Sequence, residues 1–201
     1  ICPTVMLDDN NLRMKKLLLA LLLVLTYVTS MTAQNVTVEE PEFAEETLLL
    51  TSDSQGVKLS RENGTIKTKA GASLYLTGIG KVKSRLTLKG IKSTSKAVGG
   101  PTTRLIVKAA DNKTDPNSFI SIFKFEIKGK ERRYLLAEAG TLSKTESNNL
   151  SSVDYKAKKY GESSYYIVLE DLTPGEYGIV IGDPNHENTK NGMKVTTFTV
   201  E

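Results

Sequence analysis

The chain has 201 residues, a formal net charge of +4 and a mean hydropathy of −0.24. Its only cysteine is Cys2 and its only histidine is His186, which excludes a disulfide framework, a cysteine-bound metal and any metal site built on two histidines. So small a charge gives no indication of a nucleic-acid partner.

The N-terminal part has the layout of a cleavable secretory leader. Met14 is followed by two lysines, then by the unbroken apolar run Leu17–Leu25, and then by small residues that end at Ala33. A positive start, a short apolar stretch and small residues at the cleavage point are the three parts of a signal peptide. We therefore predict a signal peptide over residues 14–33 and interpret residues 1–13 as an upstream extension or a mis-called start.

The apolar run is too short for a membrane anchor. It would cover about 14 Å as a helix, whereas the hydrocarbon core of a bilayer is about 30 Å thick. We expect cleavage after Ala33, with Ser30 as the alternative, and no membrane span afterwards. The product is expected in the periplasm, at the cell surface or outside the cell. The lack of any cysteine beyond Cys2 favours a bacterial envelope protein.

The rest of the chain predicts a single all-β domain. Residues 34–46 are acidic and aperiodic, and are interpreted as a flexible lead-in. Over residues 47–201, short alternations of polar and apolar residues are separated by Gly, Pro and Asn, for example at Glu62-Asn63-Gly64. This is typical of an antiparallel sandwich or barrel. The predicted strands are Thr47–Thr51, Val57–Arg61, Thr65–Thr77, Lys81–Lys89, Thr103–Ala109, Phe119–Lys128, Arg132–Leu142, Ser164–Leu169, Gly175–Ile181 and Lys194–Val200. The one weakly helical stretch is Asn149–Tyr160.

Two of these strands have patterns that assign their faces. In Lys81–Lys89, apolar Val82, Leu86 and Leu88 fall on one side. The residues on the other side are Lys81, Lys83, Arg85 and Lys89. The stretch Phe119–Phe123 is apolar on both sides, which predicts a central strand, and Phe125 and Ile127 are expected to continue its inner face.

A local motif near the C-terminus narrows the architecture. The sequence Leu172-Thr173-Pro174-Gly175-Glu176-Tyr177 leads into the apolar run Gly178–Ile181. It resembles the L-x-P-G-x-Y entry to a late strand in immunoglobulin-like and fibronectin-type sandwiches. The matching residues are Leu172, Pro174, Gly175 and Tyr177. The resemblance implies an immunoglobulin-like sandwich in which the Tyr177 hydroxyl bonds to the backbone upstream, although the cystine and tryptophan of antibody domains are missing. More loosely, the whole chain looks like secreted sandwich proteins of bacterial envelopes, which implies no activity.

The inventory of reactive groups argues against an enzyme. We find no G-x-S-x-G elbow, no Walker A motif and no dinucleotide fingerprint, so we predict no catalysis and no cofactor. His186 lies in a polar stretch beside a turn and is interpreted as an exposed loop residue. A carboxylate-dependent glycoside hydrolase stays open as an alternative, because it needs only two acids. The candidate acids are Glu126, Glu138, Glu170 and Asp171. The oxygen-rich stretch Asp111–Asn117 could suit calcium, but turn capping explains it, and we predict no metal.

Two surfaces are candidates for binding. The row Lys81, Lys83, Arg85 and Lys89 could hold an anionic glycan, or it could protect an edge strand against aggregation, which is the interpretation we favour. Exposed tyrosines could stack on sugar rings. The group consists of Tyr155, Tyr160, Tyr165 and Tyr166. Because adjacent residues of a strand face opposite ways, at least one of Tyr165 and Tyr166 is expected in the core.

These observations predict an exported, non-catalytic β-sandwich that acts as a binding or interaction module of the cell envelope or the extracellular space. Its candidate partners are an anionic glycan and an envelope protein, and nucleic acid is not expected. The alternatives are a structural or accessory subunit that joins a surface assembly by strand pairing, and the glycoside hydrolase. The sequence gives no indication of the oligomeric state.

Overall fold

The computed structural model describes residues 36–77, 79–97, 100–140, 147–148, 152–182 and 192–201. Of these residues, 57% lie in strands and 6% in helices, so the chain is all-β with antiparallel sheets, as the sequence predicts. The predicted leader over residues 14–33 and the loop histidine His186 lie outside the described residues.

The first sheet has five strands in the order β11-β12-β6-β1-β2, and all its pairings are antiparallel. Its strands are β1 (Thr47–Leu50), β2 (Gly56–Lys58), β6 (Thr102–Lys108), β11 (Lys156–Tyr160) and β12 (Ser164–Glu170).

The second sheet has nine strands, seven of them in the order β10-β9-β4-β3-β14-β13-β7, with β5 paired to β14 and β8 paired to β9. Its strands are β3 (Ser60–Ala70), β4 (Lys81–Lys89), β5 (Lys96–Ala97), β7 (Ile120–Lys124), β8 (Glu126–Lys128), β9 (Glu131–Gly140), β10 (Ser147–Asn148), β13 (Gly175–Ile181) and β14 (Met193–Val200). A short helix, α1 (Ala72–Thr77), lies between β3 and β4, and a 3-10 helix covers Pro116–Ser118. No described helix has the length and apolarity needed to cross a bilayer.

The nine-stranded sheet curls into a half-barrel. Only Phe125 separates β7 from β8, yet β7 pairs with β13 and β8 pairs with β9. The segment 120–128 therefore joins the two ends of the sheet. The backbone N–H of Phe125 donates to the carbonyl of Glu176, 2.8 Å away, which holds the junction.

The curl creates two separate apolar cores. Between the two sheets lies a core that β6, β12, β13 and β14 supply with residues such as Leu105, Ile167 and Phe198. Inside the curl lies a second core, which includes Leu86 and Val195 from opposite parts of the sheet. Side chains on one face of β13 and β14 pack in the core between the sheets, and side chains on the other face pack inside the curl. Both faces of these strands are therefore apolar. Of the described residues of β4 and β9, none belongs to the core between the sheets, so their convex side faces away from it.

Three of the predicted elements are wrong in part. The strand predicted over Thr65–Thr77 ends at Ala70, where the chain turns into α1. The residues Glu62-Asn63-Gly64, which the sequence predicts as a turn, lie inside β3. The glycine here serves packing, since a Cβ at Gly64 would lie 2.4 Å from the side chain of Leu86. The helical stretch predicted over Asn149–Tyr160 is a strand, β11, from Lys156 onward.

The position of two strands in the sheet also differs from expectation. β4 lies between β9 and β3, so it is not the edge strand that we favoured. The predicted strand Phe119–Lys128 is divided between β7 and β8, and β7 ends the sheet beside β13. Its two faces are apolar because both cores cover it, not because it is central. Phe125 is buried as expected, whereas Ile127 is 47% exposed.

Within the acidic lead-in, Val36 and Val38 lie on the outer face of the five-stranded sheet, and Glu45 and Glu46 pair with Lys108 of β6 through backbone hydrogen bonds. Val36 and Val38 pack against a cluster that contains Ile106 and Tyr166. The Glu40 carboxylate accepts hydrogen bonds from the N–H groups of Ser163 and Ser164. Burial raises the pKa of Glu40, but these bonds and the ammonium of Lys108 together bring it below its usual value.

Candidate functional site

The convex side of β3, β4 and β9 carries a concentration of cations, which we call the basic face. β4 supplies the predicted row, and its register places β3 and β9 residues directly beside that row. The cations of the basic face are Lys67, Lys69, Lys81, Lys83, Arg85, Lys89 and Arg133. The carboxylates on the same three strands and the same side are Glu131 and Glu138. Leu86 and Leu88 of β4 are fully buried on the other side, so the alternation assigned these faces correctly.

Two carboxylates neutralise part of this face. Glu138 receives the ammonium groups of Lys81 and Lys83, the latter at 2.6 Å. The hydrogen bonds from Lys81 and Lys83 lower the pKa of Glu138 from 4.5 to about 2. Glu131 pairs with Lys67 and Arg133, each at 2.8 Å, and these bonds lower the pKa of Glu131 in the same way. Each acid is therefore shared by two cations.

Like charges stand directly opposite each other in two rungs of the hairpin formed by β3 and β4, which are separated by the rung Thr68–Ser84. Lys67 is opposite Arg85, and Lys69 is opposite Lys83. Opposed like charges destabilise a sheet, by up to about 0.8 kcal/mol for a pair about 5 Å apart in water. Lys69 and Arg85 have no ion-pair partner among the described residues. The arrangement leaves an excess of positive charge that folding does not require.

A recess of about 80 Å³ lies within the basic face, lined by Lys67, Lys69, Arg85, Thr87 and Arg133. A volume of this kind needs only about 10–15 Å³ to admit one water molecule, so the recess has room for a group larger than water. Arginine presents a planar fork of donors that matches sulfate, phosphate or carboxylate groups, and Arg85 offers such a fork with no acidic partner in the described part of the chain. The recess can therefore hold a single oxyanion group among four cations.

The lysines that could protect a sheet edge against pairing with other chains lie on β11, not on β4. Strand β11 ends the five-stranded sheet and carries Lys156, Lys158 and Lys159. Lys156 pairs with Glu170, and Lys158 lies over the ring of Tyr166 at 4.7 Å. Lysines along an edge strand oppose pairing with other chains. The row on β4 has no such role, because β4 is paired on both sides.

The corner residues surround the start of β13. Tyr177 is 2% exposed, and its hydroxyl donates to the carbonyl of Thr173 at 2.6 Å. Its ring stacks on Phe198 with the centroids 5.4 Å apart. Leu172 packs against the core between the sheets, and Gly175 has a φ of 154° as it follows Pro174 into the strand. The corner therefore ties a loop to the core and presents no reactive group.

The four tyrosines do not form a sugar-stacking surface. Tyr165 and Tyr166 are both buried, the first between the sheets and the second under the lead-in. The hydroxyl of Tyr155 donates to the carbonyl of Ile120 at 2.9 Å, and that of Tyr160 donates to the carbonyl of Val38. Their rings are used for packing.

The four candidate acids do not share a site either. Glu138 is held by two lysines of the basic face, Glu170 pairs with Lys156 in the other sheet, and Glu126 and Asp171 are exposed on β8 and in a turn. In the stretch Asp111–Asn117, two aspartates cap turns, as expected: Asp111 accepts the N–H of Lys113, and Asp115 that of Asn117. Among the described residues, no group of three or more His, Cys, Asp or Glu could hold a metal ion.

The sequence predicts four of the seven cations of the basic face and misses the other three. Lys67, Lys69 and Arg133 meet the β4 row only through the pairing of β3 and β9 with β4. The alternation of Lys67 and Lys69 within the predicted strand Thr65–Thr77 is a signal that could have added two of these residues. Arg133 had no such signal, because it adjoins the buried Arg132.

No protein-family model matches this chain, and neither the curated proteins nor the solved structures include one that is detectably similar to it.

Proposed function

We propose that the chain is an exported, non-catalytic binding module whose basic face holds an anionic glycan of the cell envelope or its surroundings. The observation that carries the proposal is the pair of like-charge rungs, Lys67–Arg85 and Lys69–Lys83. In each rung one cation is held by a glutamate, Lys67 by Glu131 and Lys83 by Glu138, while Arg85 and Lys69 have no ion-pair partner among the described residues. A polymer with regularly spaced acidic groups would pair with these two cations through charge-assisted hydrogen bonds.

Two further parts of the proposal rest on sequence. Export is supported by the leader layout of residues 14–33. An immunoglobulin-like arrangement of the two facing sheets is supported by the corner of Leu172, Pro174, Gly175 and Tyr177, with the curl of β3, β4 and β9 as an addition that exposes the basic face.

The test is retention on immobilised dextran sulfate, with neutral dextran as the reference matrix. We expect the protein to bind the sulfated matrix and to elute with salt, because ions screen exposed charges. The double variant Arg85→Glu and Lys69→Glu is expected to elute at much lower salt. A matched control, Lys113→Glu and Lys159→Glu, makes the same change in net charge at exposed positions away from the basic face and is expected to elute close to the unaltered protein. Failure of the unaltered protein to bind, or an equal loss in the control, would reject the proposal.

A further inference from the structure

The hairpin formed by β3 and β4 ends in a protruding tip that exposes apolar side chains. Tyr75 is 80% exposed, Leu76 is 84% exposed and Ile79 is 52% exposed. The other exposed large apolar residues of the described chain are scattered over separate elements: Phe43, Val57, Ile91 and Ile127. Single exposed apolar residues are normal, but three within five residues on one protrusion form a patch of the kind that marks an interaction site.

The described residues of the tip form hydrogen bonds with one another and with the start of β4. The N–H of Gly71 donates to the carbonyl of Lys81 at 2.9 Å, and the N–H of Leu74 donates to the carbonyl of Gly71 at 3.0 Å. The hydroxyl of Thr77 donates to the carbonyl of Ser73 at 2.8 Å. Helix α1 folds back closely onto Gly80, where a Cβ would lie 2.8 Å from the nitrogen of Leu74. Such internal pairing is what a backbone needs in an environment poor in water.

Cations stand directly behind the apolar tip. Lys81 begins β4, and the rung Lys69–Lys83 follows. Alternate residues of a strand are about 6.8 Å apart, so Lys81, two residues after Ile79, lies within about one Debye length of the tip at physiological salt, and Lys69 and Lys83 are the next cations along the hairpin. An apolar protrusion and a collar of positive charge therefore occur on the same hairpin.

We propose that this tip docks into an anionic lipid surface. Tyr75, Leu76 and Ile79 enter the headgroup region. Lys69, which has no ion-pair partner among the described residues, contacts the acidic headgroups, and Lys81, which shares Glu138 with Lys83, lies beside them. Exposed apolar side chains next to cations match the two parts of an anionic lipid surface, its apolar interior and its acidic headgroups. Neither signal alone gives stable attachment, but a small apolar insertion combined with a basic patch does. The inference goes beyond glycan binding and does not rest on it.

A fluorescent label at the tip tests the insertion directly. Leu76→Cys is made in a Cys2→Ser background, labelled with nitrobenzoxadiazole, and mixed with vesicles of phosphatidylglycerol and phosphatidylcholine. We expect the emission to increase and to shift to shorter wavelength, because the label leaves water. The same label at Lys113→Cys, in an exposed turn, is expected to show no change. Unchanged emission from the tip label would overturn the proposal.

Vesicle co-sedimentation tests the two contributions separately. Leu76→Ser is expected to weaken partitioning about tenfold or more, and Lys69→Gln about fivefold. Val57→Ser, which removes another exposed apolar side chain, is the matched control and is expected to bind as the unaltered protein does. All variants have the same N-terminus, so the leader cannot account for a difference between them.

Three results of this second assay would also overturn the proposal. They are equal binding of Leu76→Ser and the unaltered protein, equal binding to vesicles of phosphatidylcholine alone, and a concentration-dependent self-association without lipid that Leu76→Ser abolishes. The last result would assign the tip to a second copy of the chain. Leu76→Ser is expected to keep its retention on dextran sulfate, so failure of this inference and failure of the proposed function are distinguishable.

Discussion

Arg132 and Glu62 form an ion pair inside the curl of the nine-stranded sheet, with Nη2 of Arg132 2.6 Å from Oε2 of Glu62. Arg132 is only 1% exposed. Its Nη1 donates to the hydroxyl of Ser93 at 2.8 Å and lies 3.8 Å from the carboxylate of Glu176. Glu176 in turn accepts from Ser93 and Thr199. The buried charges are thus hydrogen-bonded on every side, and they fix the loop after β4 to β13 and β14.

Replacing Arg132 is expected to be severely destabilising. Arg132→Ala leaves Glu62 and Glu176 without their cation, and loss of one partner from a buried ionic group costs about 3–5 kcal/mol. The measurement is the free energy of unfolding from urea titration. Arg133→Ala, one residue later on the outer side, is the control, with a loss of at most about 1 kcal/mol. Equal losses for the two variants would contradict the role given to Arg132.

The pairing of Glu138 with Lys81 and Lys83 predicts a pH dependence of stability. The pKa of Glu138 is about 2 in the folded protein against 4.5 ordinarily, so the folded state binds fewer protons than the unfolded state between these values. The stabilisation is present above pH 4.5 and is lost as the pH falls towards 2. As the pH falls from 4.5 to 2, the free energy of unfolding of the Glu138→Gln variant is expected to decrease less than that of the unaltered protein. Parallel curves for the two proteins from pH 5 to pH 2 would show that the pairing has no such effect.

The hydroxyl of Tyr177 makes a separable contribution to stability. Tyr177→Phe keeps the ring on Phe198 but removes the bond to the carbonyl of Thr173, and is expected to lower the free energy of unfolding by about 0.5–1.5 kcal/mol. Tyr75→Phe is the control. Tyr75 is 80% exposed, so this substitution is expected to leave the free energy of unfolding unchanged within experimental error. A neutral Tyr177→Phe would show that packing alone holds this corner.

Gly178 leaves room for the aromatic side chains inside the curl. A Cβ at this position would lie 2.6 Å from Phe123 and 2.9 Å from Phe125, so Gly178→Ala is expected to cost about 1–3 kcal/mol through overpacking. Gly100→Ala is the matched control, because its Cβ would have no neighbour within 4 Å. The measurement is the melting temperature of each variant, which is expected to fall for Gly178→Ala and to stay unchanged for Gly100→Ala. An unchanged melting temperature for Gly178→Ala would show that the aromatic side chains do not need the space at Gly178.

The sequence predicts the all-β class and much of each strand, because a two-residue alternation is a local property. Lys81–Lys89 and Gly175–Ile181 have the same bounds in the structure as in the prediction. Which strands pair is not a local property. Nothing in the alternation of β4 indicates that β9 will lie beside it and that its lysines will meet Glu138.

Because strand pairing is not a local property, the sequence predicts only the β4 part of the candidate site. A row of cations on one strand fits both an edge and a central position, and only the neighbouring strands decide between them. The tip was missed for another reason: Leu74 and Leu76 are in phase with Ile66 and Ala70 of β3, so the alternation hides the point where the chain leaves the sheet. Gly71, which directly follows the last residue of β3, is the residue that could have indicated the end of the strand.

Because segment 120–128 belongs to both ends of one sheet, the order in which the chain can assemble is constrained. β8 and β9 are joined by a two-residue turn at Gly129 and Lys130, where Gly129 has a φ of 63°, and can pair as soon as both exist. β7 must wait for β13, whose first residue is Gly175. Until then Phe123 and Phe125 lack the part of their cover that β13 and β14 supply, so a chain that emerges N-terminus first is open to aggregation until its last strands arrive.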